Sequence, residues 1–374
     1  MNAHSVVIGV TREAHAGERR VALVPADVKR LTRRAAVFVE HDAGARAGFT
    51  DRDYVAVGAR VGSAQSVINL ADILVKIRAP ESGDTLRRQT VLVSLGGRDA
   101  VLSAKLHASG ITHLGLERLP RTARAQSMDV LSSQAAIAGY AAVLEGARQL
   151  DTLLPMMTTA AGTIKPAKML AIGAGVAGLQ ALATARRLGA QAYGFDVRES
   201  AREQVESLGA RFVSLETASV PSGEAAGGYA REQSEEEQER VRAALAKHIP
   251  SMQLVVTSAQ IPGRPAPKLI NEPTLSAMQP GSVIVDLAAE NGGNTSLTRP
   301  DEIISVSGVW ILGPTNLPSQ FATDASRLFS GNIRALLEYI VDEHGRVSLD
   351  AADPIVSALS AGHLHTRAGS LEVA

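Results

Sequence analysis

Six consecutive residues, Gly173-Ala174-Gly175-Val176-Ala177-Gly178, carry the strongest chemical signal in the chain. They follow the apolar run 168–172 and open a helical pattern over 176–188. Each part has a use at a dinucleotide. Gly173 permits a tight turn, Gly175 lets backbone amides approach a pyrophosphate, and Gly178 lets the helix close on the sheet. A second strand pattern, 191–197, leads into Asp196-Val197-Arg198, with Asp196 23 residues after Gly173. A carboxylate about 20 residues on accepts hydrogen bonds from ribose hydroxyls and repels a 2′-phosphate. The expected ligand is NAD(H) in preference to NADP(H). Arg198 argues in the other direction, because an arginine near that position serves a 2′-phosphate. The plain alternative is a glycine-rich packing turn with no ligand. After residues 6–10 comes a charged run that opens no helix, so one dinucleotide site per chain is expected.

A second cluster spans 120–134, with Arg121, Arg124, Gln126, Asp129 and Ser132. Gln126 offers donors and an acceptor that match a nicotinamide carboxamide. Asp129 and Ser132 follow it at i+3 and i+6, and their ordinary alternative is helix N-capping. The cluster is expected at the mouth of a cleft between two domains. A third cluster, 285–294, contains Asp286, Glu290, Asn291 and two glycines. It ends a buried strand, where ligands of parallel sheets bind; its alternative is a polar turn. Weaker candidates are Glu18, Arg19, Arg20 and Lys76 as a carboxylate clamp, against solvated surface charge, and His363 with His365 as a metal pair, against plain surface histidines.

The elements that must position these residues alternate. Strand patterns are expected at 6–10, 37–40, 73–77, 91–95 and 113–117, then at 169–173, 191–197, 211–215, 254–259, 282–288 and 308–313. Uninterrupted apolar strands between helices indicate parallel sheets covered on both faces. A small-residue helix over 132–150, ended by Pro155, reads as the interdomain connector. A last helix, 321–341, returns to the first domain. The expected division is a discontinuous domain, 1–125 plus 320–374, and a nucleotide-binding domain, 126–319. The tail after Gly345 reads as short and polar. Residues 219–238 form a loop long enough for a lid, with a capping box at Ser234 and Glu237 and a glycine-flanked Tyr229 at its tip.

Composition narrows the classes. The 374 residues hold 38 basic and 38 acidic side chains, which leaves no net charge to neutralise nucleic acid. Aromatics are 3%, which argues against base-stacking platforms, and cysteines are absent, which excludes disulfides and thiolate chemistry. The uncharged stretch 169–185 fits a strand, turn and packed helix better than a membrane span, and no signal peptide is visible at the start.

The runs ERRVALVPADV (18–28), RAQSMDVLSSQ (124–134), IGAGVAGLQA (172–181), FDVRE (195–199), TSAQIPGRPAPKLI (257–270) and SVIVDLAAENGGN (282–294) occur in this order. Together they resemble the NAD(H)-binding component (domain I, on the alpha subunit) of proton-translocating NAD(P) transhydrogenase, in the superfamily that includes alanine dehydrogenase. The resemblance implies an α/β fold of two Rossmann-like, doubly wound parallel-sheet domains joined by long helices. It implies a homodimer on the cytoplasmic side, peripheral to the inner membrane through partners: a membrane-spanning subunit and an NADP(H)-binding beta subunit. Re/Si-specific hydride transfer from NADH to NADP+ on that partner would be coupled to proton translocation. The resemblance assigns the hydride-transfer site to Arg121, Gln126, Asp129 and Ser132. With the motif reading it gives cofactor contacts at Arg124, Gly173, Gly175, Val176, Gly178, Asp196, Val197, Arg198, Gly228, Tyr229, Gln260, Glu290 and Asn291, and no metal. Departures are Ala136 in place of a common asparagine and Gly96-Gly97-Arg98-Asp99 in place of an apolar run. The alternatives are an alanine dehydrogenase-like enzyme, to which Arg20 and Lys76 would bring carboxylate binding but which lacks a matching catalytic histidine here, and a non-catalytic NAD(H) sensor.

Overall fold

The computed structural model describes residues 6–80, 86–214, 234–261 and 263–364, and the backbone alone at 224–225 and 229–230. The chain divides into two compact units, residues 1–134 with 319–374, and residues 135–318.

In the first unit the strands β1 (Val7–Val10), β2 (Ala36–Glu40), β3 (Arg60–Gly62), β4 (Ile73–Val75), β5 (Val91–Ser94) and β6 (Thr112–Gly115) form one sheet, ordered β3-β2-β1-β4-β5-β6. Every pairing is parallel. Successive side chains leave opposite faces of a strand. Val37, Val39, Ile73, Val75 and Val93 thus share the main core with Phe329, Ile333, Leu336 and Leu337 of the helix Ala322–Ile340. Phe38, Leu74 and Leu92 enter a smaller core with Val67 and Leu106. Both faces are buried, which is why these strands read as unbroken apolar runs.

The tail is more ordered than its polarity suggests. Asp353 accepts from the amides of Ile355 and Val356 and starts the helix Pro354–Ser360, which buries Ile355, Val356 and Leu359. Pro354 sits at the first helical position, where its missing N–H costs nothing.

The second unit holds an exposed hairpin, β7 (Met157–Thr159) with β8 (Gly162–Ile164). Its sheet contains β9 (Lys168–Ile172), β10 (Gln191–Phe195), β11 (Arg211–Phe212), β14 (Leu254–Thr257), β15 (Val283–Asp286), β16 (Ile303–Val306) and β17 (Val309–Leu312), with a separate pair β12 (Glu224–Ala225) and β13 (Tyr229–Ala230). The order is β11-β10-β9-β14-β15-β17-β16, parallel except for β16. The short β3, the hairpin and β16 are absent from the sequence expectation.

The linking helix, Val130–Gln149, begins in one unit and ends in the other. The division falls within it, after Gln134, and residues 126–134 pack with the first unit. Met128 and Val130 lie in that unit's main core, and the Gln134 amide donates to the Ala325 carbonyl at 3.1 Å. Farther along, a Cβ on Gly139 would overlap the Ala177 carbonyl oxygen, so the helix lies backbone to backbone against the turn after Gly173.

Candidate functional site

β9 ends at Ile172, and the order of strands reverses between β9 and β14. Ligands of open α/β sheets bind at such a switch point. Gly173 there has φ +97°, a conformation costly to any side chain. A Cβ on Gly178 would overlap the Gly173 carbonyl oxygen, so this glycine lets the helix Val176–Arg187 start at the sheet. Gly175, the helix N-cap, differs: a Cβ on it would meet nothing within 4 Å, and the cap makes no side-chain hydrogen bond. Protein packing does not demand this glycine, and the absence of a side chain there leaves the first helical amides open to an anion. Val176 is 43% exposed at the same edge.

Asp196 follows β10 and meets the turn. Its Oδ2 accepts from the Ala174 amide at 2.8 Å and from Arg198 Nη2 at 3.0 Å; its Oδ1 accepts from the Arg198 amide and Nε, both at 2.9 Å. The carboxylate thus lies beside the glycine turn, and Arg198 is folded onto it. Val197 is half-buried against the unit's core.

The ends of β14 and β15 supply the opposite wall. Ser258 Oγ donates to the Gly173 carbonyl at 3.2 Å. Gln260 Nε2 donates to the Leu287 carbonyl at 2.8 Å, and Asn291 Nδ2 to Gln260 Oε1 at 3.4 Å. Gln260, Glu290 and Asn291 are exposed here. Asp286, the acid of the same run, is not available to a ligand. It is fully buried and accepts from Thr257 Oγ1 at 2.9 Å, Thr298 Oγ1 at 2.6 Å and the Asn294 amide at 2.6 Å. A buried carboxylate must be satisfied internally, and this one shapes the loop. Buried Asn294 spans the two strand ends through the Ala259 amide and carbonyl. Thr257, Ser258 and Asn294 lie within the runs 257–270 and 282–294 but are not singled out there as site residues; the sheet topology brings them together.

The other cluster lies in the first unit, on the 3-10 turn Ala123–Met128. Ala125 and Met128 face the core, while Arg121, Arg124 and Gln126 are exposed. Asp129 Oδ1 accepts from the Ser132 amide at 3.0 Å and Oδ2 from Ser132 Oγ at 2.6 Å. The capping contact is therefore present. Arg124 stacks over the Tyr339 ring, 4.7 Å from its centroid.

The expected carboxylate clamp is neither open nor solvated. Glu18, Arg20 and Lys76 are buried. Arg20 directs Nε to Glu18 Oε1 at 2.8 Å and Nη2 to Glu18 Oε2 at 2.7 Å, and Nη1 to Gln134 at 2.8 Å. A buried guanidinium requires such a partner, and Glu18 fills its fork. In the Gly96-Gly97 stretch, the two amides donate to the Glu117 carboxylate at 2.5 and 3.0 Å. A Cβ on Gly97 would come within 2.5 Å of the Gly115 Cα. A buried imidazole does occur nearby, at His113, whose Nε2 meets Ser94 Oγ at 3.0 Å. Ser94 Oγ also lies within donating distance of the Leu95 carbonyl, at 2.9 Å. Burial pushes His113 below the usual imidazole range, partly opposed by Glu117.

Of the long loop, the capping box at Ser234 is formed: the Glu237 amide donates to Ser234 Oγ at 3.2 Å and the Ser234 amide to Glu237 at 2.8 Å. Gly228 and the Tyr229 side chain lie outside the described residues. His365 does too; the His363 ring lies 4.8 Å from that of His107. No group of three or more histidine or acidic residues able to hold a metal occurs among the described residues.

Residues 9–138 match the family described as "Alanine dehydrogenase/PNT, N-terminal domain", and residues 142–371 its C-terminal domain. The chain belongs to the alanine dehydrogenase/PNT family. The N-terminal match runs from within β1 through β6 and the Arg121–Ser132 cluster, and the C-terminal match carries the Gly173 turn. Within the family, the chain is 44% identical to the NAD(P) transhydrogenase subunit alpha of Cereibacter sphaeroides, over 95% of this chain and 70% of that protein. It is 43% identical to an NAD(P) transhydrogenase subunit alpha protein of Rhodospirillum rubrum, over 90% of each. A solved transhydrogenase from Sinorhizobium meliloti superposes with a TM-score of 0.85 at 40% identity, covering 94% of this chain and 97% of that one. An L-alanine dehydrogenase structure gives 0.73 at 25% identity, over 96% and 100%.

Proposed function

We propose that this chain is the NAD(H)-binding component of a proton-translocating transhydrogenase, exchanging hydride between NADH on this chain and NADP+ on a separate subunit. The observation that carries the reading is Asp196 set beside the glycine turn, with the Ala174 amide on its carboxylate at 2.8 Å. Such an arrangement suits a ribose bearing two free hydroxyls and disfavours a 2′-phosphate. Against the amino-acid dehydrogenase alternative stand the Arg20 fork filled by Glu18 and the Gly96-Gly97 stretch packed on Glu117. The identities to transhydrogenase alpha subunits, above 40% over nine-tenths of the chain, point the same way.

When bound, NADH supplies the hydride from its dihydronicotinamide ring. The chain's own work is binding and alignment. The amides at the start of the helix Val176–Arg187 hold the pyrophosphate, and Asp196 exchanges its Arg198 contacts for ribose hydroxyls. Gln126 orients the carboxamide, while Ser132 fixes Asp129 and Arg121 and Arg124 supply positive charge. Val197, Gln260, Glu290, Asn291 and the Gly228-Tyr229 tip complete the contacts. Transfer between two nicotinamides moves no proton to or from a substrate. It needs reacting carbons about 3–3.5 Å apart and water kept out, so a site without a general acid suffices.

The partners in this reading are a membrane-spanning subunit and an NADP(H)-binding beta subunit, which place the chain on the cytoplasmic side, peripheral to the inner membrane. No helix among the described residues is long and apolar enough to cross a membrane. A homodimer is supported by the hairpin β7–β8, which presents Met156, Met157 and Ile164 to solvent. Clustered exposed apolar groups of this kind mark interaction surfaces.

The test mixes the chain with the NADP(H)-binding component of a related transhydrogenase. Redox exchange between the two nucleotide pools is expected, and Gln126→Asn should slow it at least about tenfold while NADH affinity stays nearly intact. Robust alanine-dependent reduction of NAD+ by the isolated chain would overturn the proposal in favour of a dehydrogenase.

A further inference from the structure

The turn Ala123–Met128, which carries Arg124 and Gln126, is anchored by a helix some 200 residues later in the sequence. On the helix Ala322–Ile340, Asn332 donates through Nδ2 to the Ser127 carbonyl at 2.8 Å. Tyr339, seven residues on, lies under the Arg124 guanidinium, and residues seven apart share a helix face. That Tyr339 is itself held, through its hydroxyl, by Asp353. One face of one helix therefore fixes both ends of the turn.

Asn332 is unusual in how it does this. A carbonyl only accepts, so Nδ2 must face Ser127 and Oδ1 must face away. That Oδ1 is buried and has no hydrogen-bond partner among the described residues. A buried acceptor without a donor is costly and offsets what the single hydrogen bond contributes. As a device for stability the side chain is poor. An apolar residue of similar shape would serve the packing as well. What it does supply is a fixed direction for the peptide between Ser127 and Met128, the one that follows Gln126-Ser127.

We propose that Asn332 is a positioning residue for hydride transfer: it sets the backbone that carries Gln126, and through it the alignment of the nicotinamide, without touching nucleotide itself. The inference rests on the reading of Gln126 given above. It predicts a change in the transfer step that leaves binding and overall stability in place.

The test compares the full chain with Asn332→Leu, which keeps the volume and removes the donor, and with Asn332→Ser, which introduces no large side chain. Single-turnover hydride transfer to the NADP(H)-binding component should fall at least about tenfold in both, with the NADH dissociation constant within about twofold. In the nucleotide-free variants, amide hydrogen exchange over residues 124–129 should speed up by about tenfold, while the melting temperature changes little. An unchanged transfer rate, beside an active unmodified chain, overturns the assignment alone. A loss of rate, NADH affinity and melting temperature in parallel also overturns it, since that is a general structural defect. If the unmodified chain exchanges no hydride, the functional reading fails and takes the assignment with it.

Discussion

Two side chains with opposite surroundings show how position decides what an ionisable residue does. Asp196 follows a strand and sits beside the glycine turn, where its carboxylate accepts from the Ala174 amide and from Arg198; in the proposed reading it turns to the ribose. Asp196→Ala should weaken NADH binding roughly tenfold or more and narrow its advantage over NADPH, read by fluorescence titration; equal affinities in the unmodified protein would sink the NAD(H) assignment. His113 lies buried within β6 of the first sheet, where burial holds its pKa down. The unfolded chain takes up this proton near pH 6.5, whereas the folded chain takes it up only at a lower pH. Between those values the unfolded state binds more protons, so stability falls as pH drops from about 6.5 through the folded value. His113→Asn should lose less melting temperature between pH 7 and pH 5 than the unmodified protein. An equal loss in both would show that the imidazole is not the group responsible. The glycine motif and Asp196 were legible as sequence because their spacing is set by local backbone geometry. His113 was not, because a histidine within an apolar run has no spacing to mark it.

Among elements, the helix Ala322–Ile340 does more than bury Phe329, Ile333, Leu336 and Leu337. Its Ser326 and Ser330 hydroxyls accept from the buried amides of Val21 and Val24, at 3.0 and 2.9 Å, and Ser330 donates to Asp27 at 2.7 Å. The segment leading into the helix Pro25–Leu31 is thus tied to a helix 300 residues away in sequence. Ser330→Ala would leave the Val24 amide buried without an acceptor, at a cost of about 1–3 kcal/mol. Urea unfolding should show this as a lower midpoint with an unchanged slope; no change in midpoint would contradict it. The helix was legible from its apolar period, and the capping box at Ser234 from the Ser-to-Glu spacing. The serines' partners were not, since hydroxyls at buried positions look like ordinary helix residues until the second segment is placed. The helix Pro354–Ser360 is hard to see in the sequence because one proline in a polar stretch outweighs Asp353, Ile355, Val356 and Leu359, which are a cap and a short apolar stripe.

For the whole molecule, the hairpin β7–β8 bears on assembly. It presents Met156, at 66% exposure, with Met157 and Ile164. If the proposed homodimer buries this hairpin, the pair Met156→Glu with Met157→Glu should shift the sedimentation of the full chain toward half the mass. NADH affinity should remain. An unchanged mass would remove the hairpin from the interface. Family membership follows from both units together, because matches run from residue 9 to 138 and from 142 to 371.

By itself the sequence determined two largely parallel α/β sheets, the glycine turn after the strand 168–172 and the place of Asp196 beside that turn. These rest on local rules: burial on both faces gives unbroken apolar strands, and a helix start beside a strand end requires glycine at fixed intervals. Tertiary structure alone decided which charges were free to act. Asp286, Glu18 and Arg20 looked like candidates for ligands and were drawn inward by partners far apart in sequence. It also decided that Asn332 meets Ser127 and that residues 126–134 belong with the first unit. Those outcomes depend on which segments lie side by side, and a buried polar group takes its role from the donor or acceptor that packing brings to it.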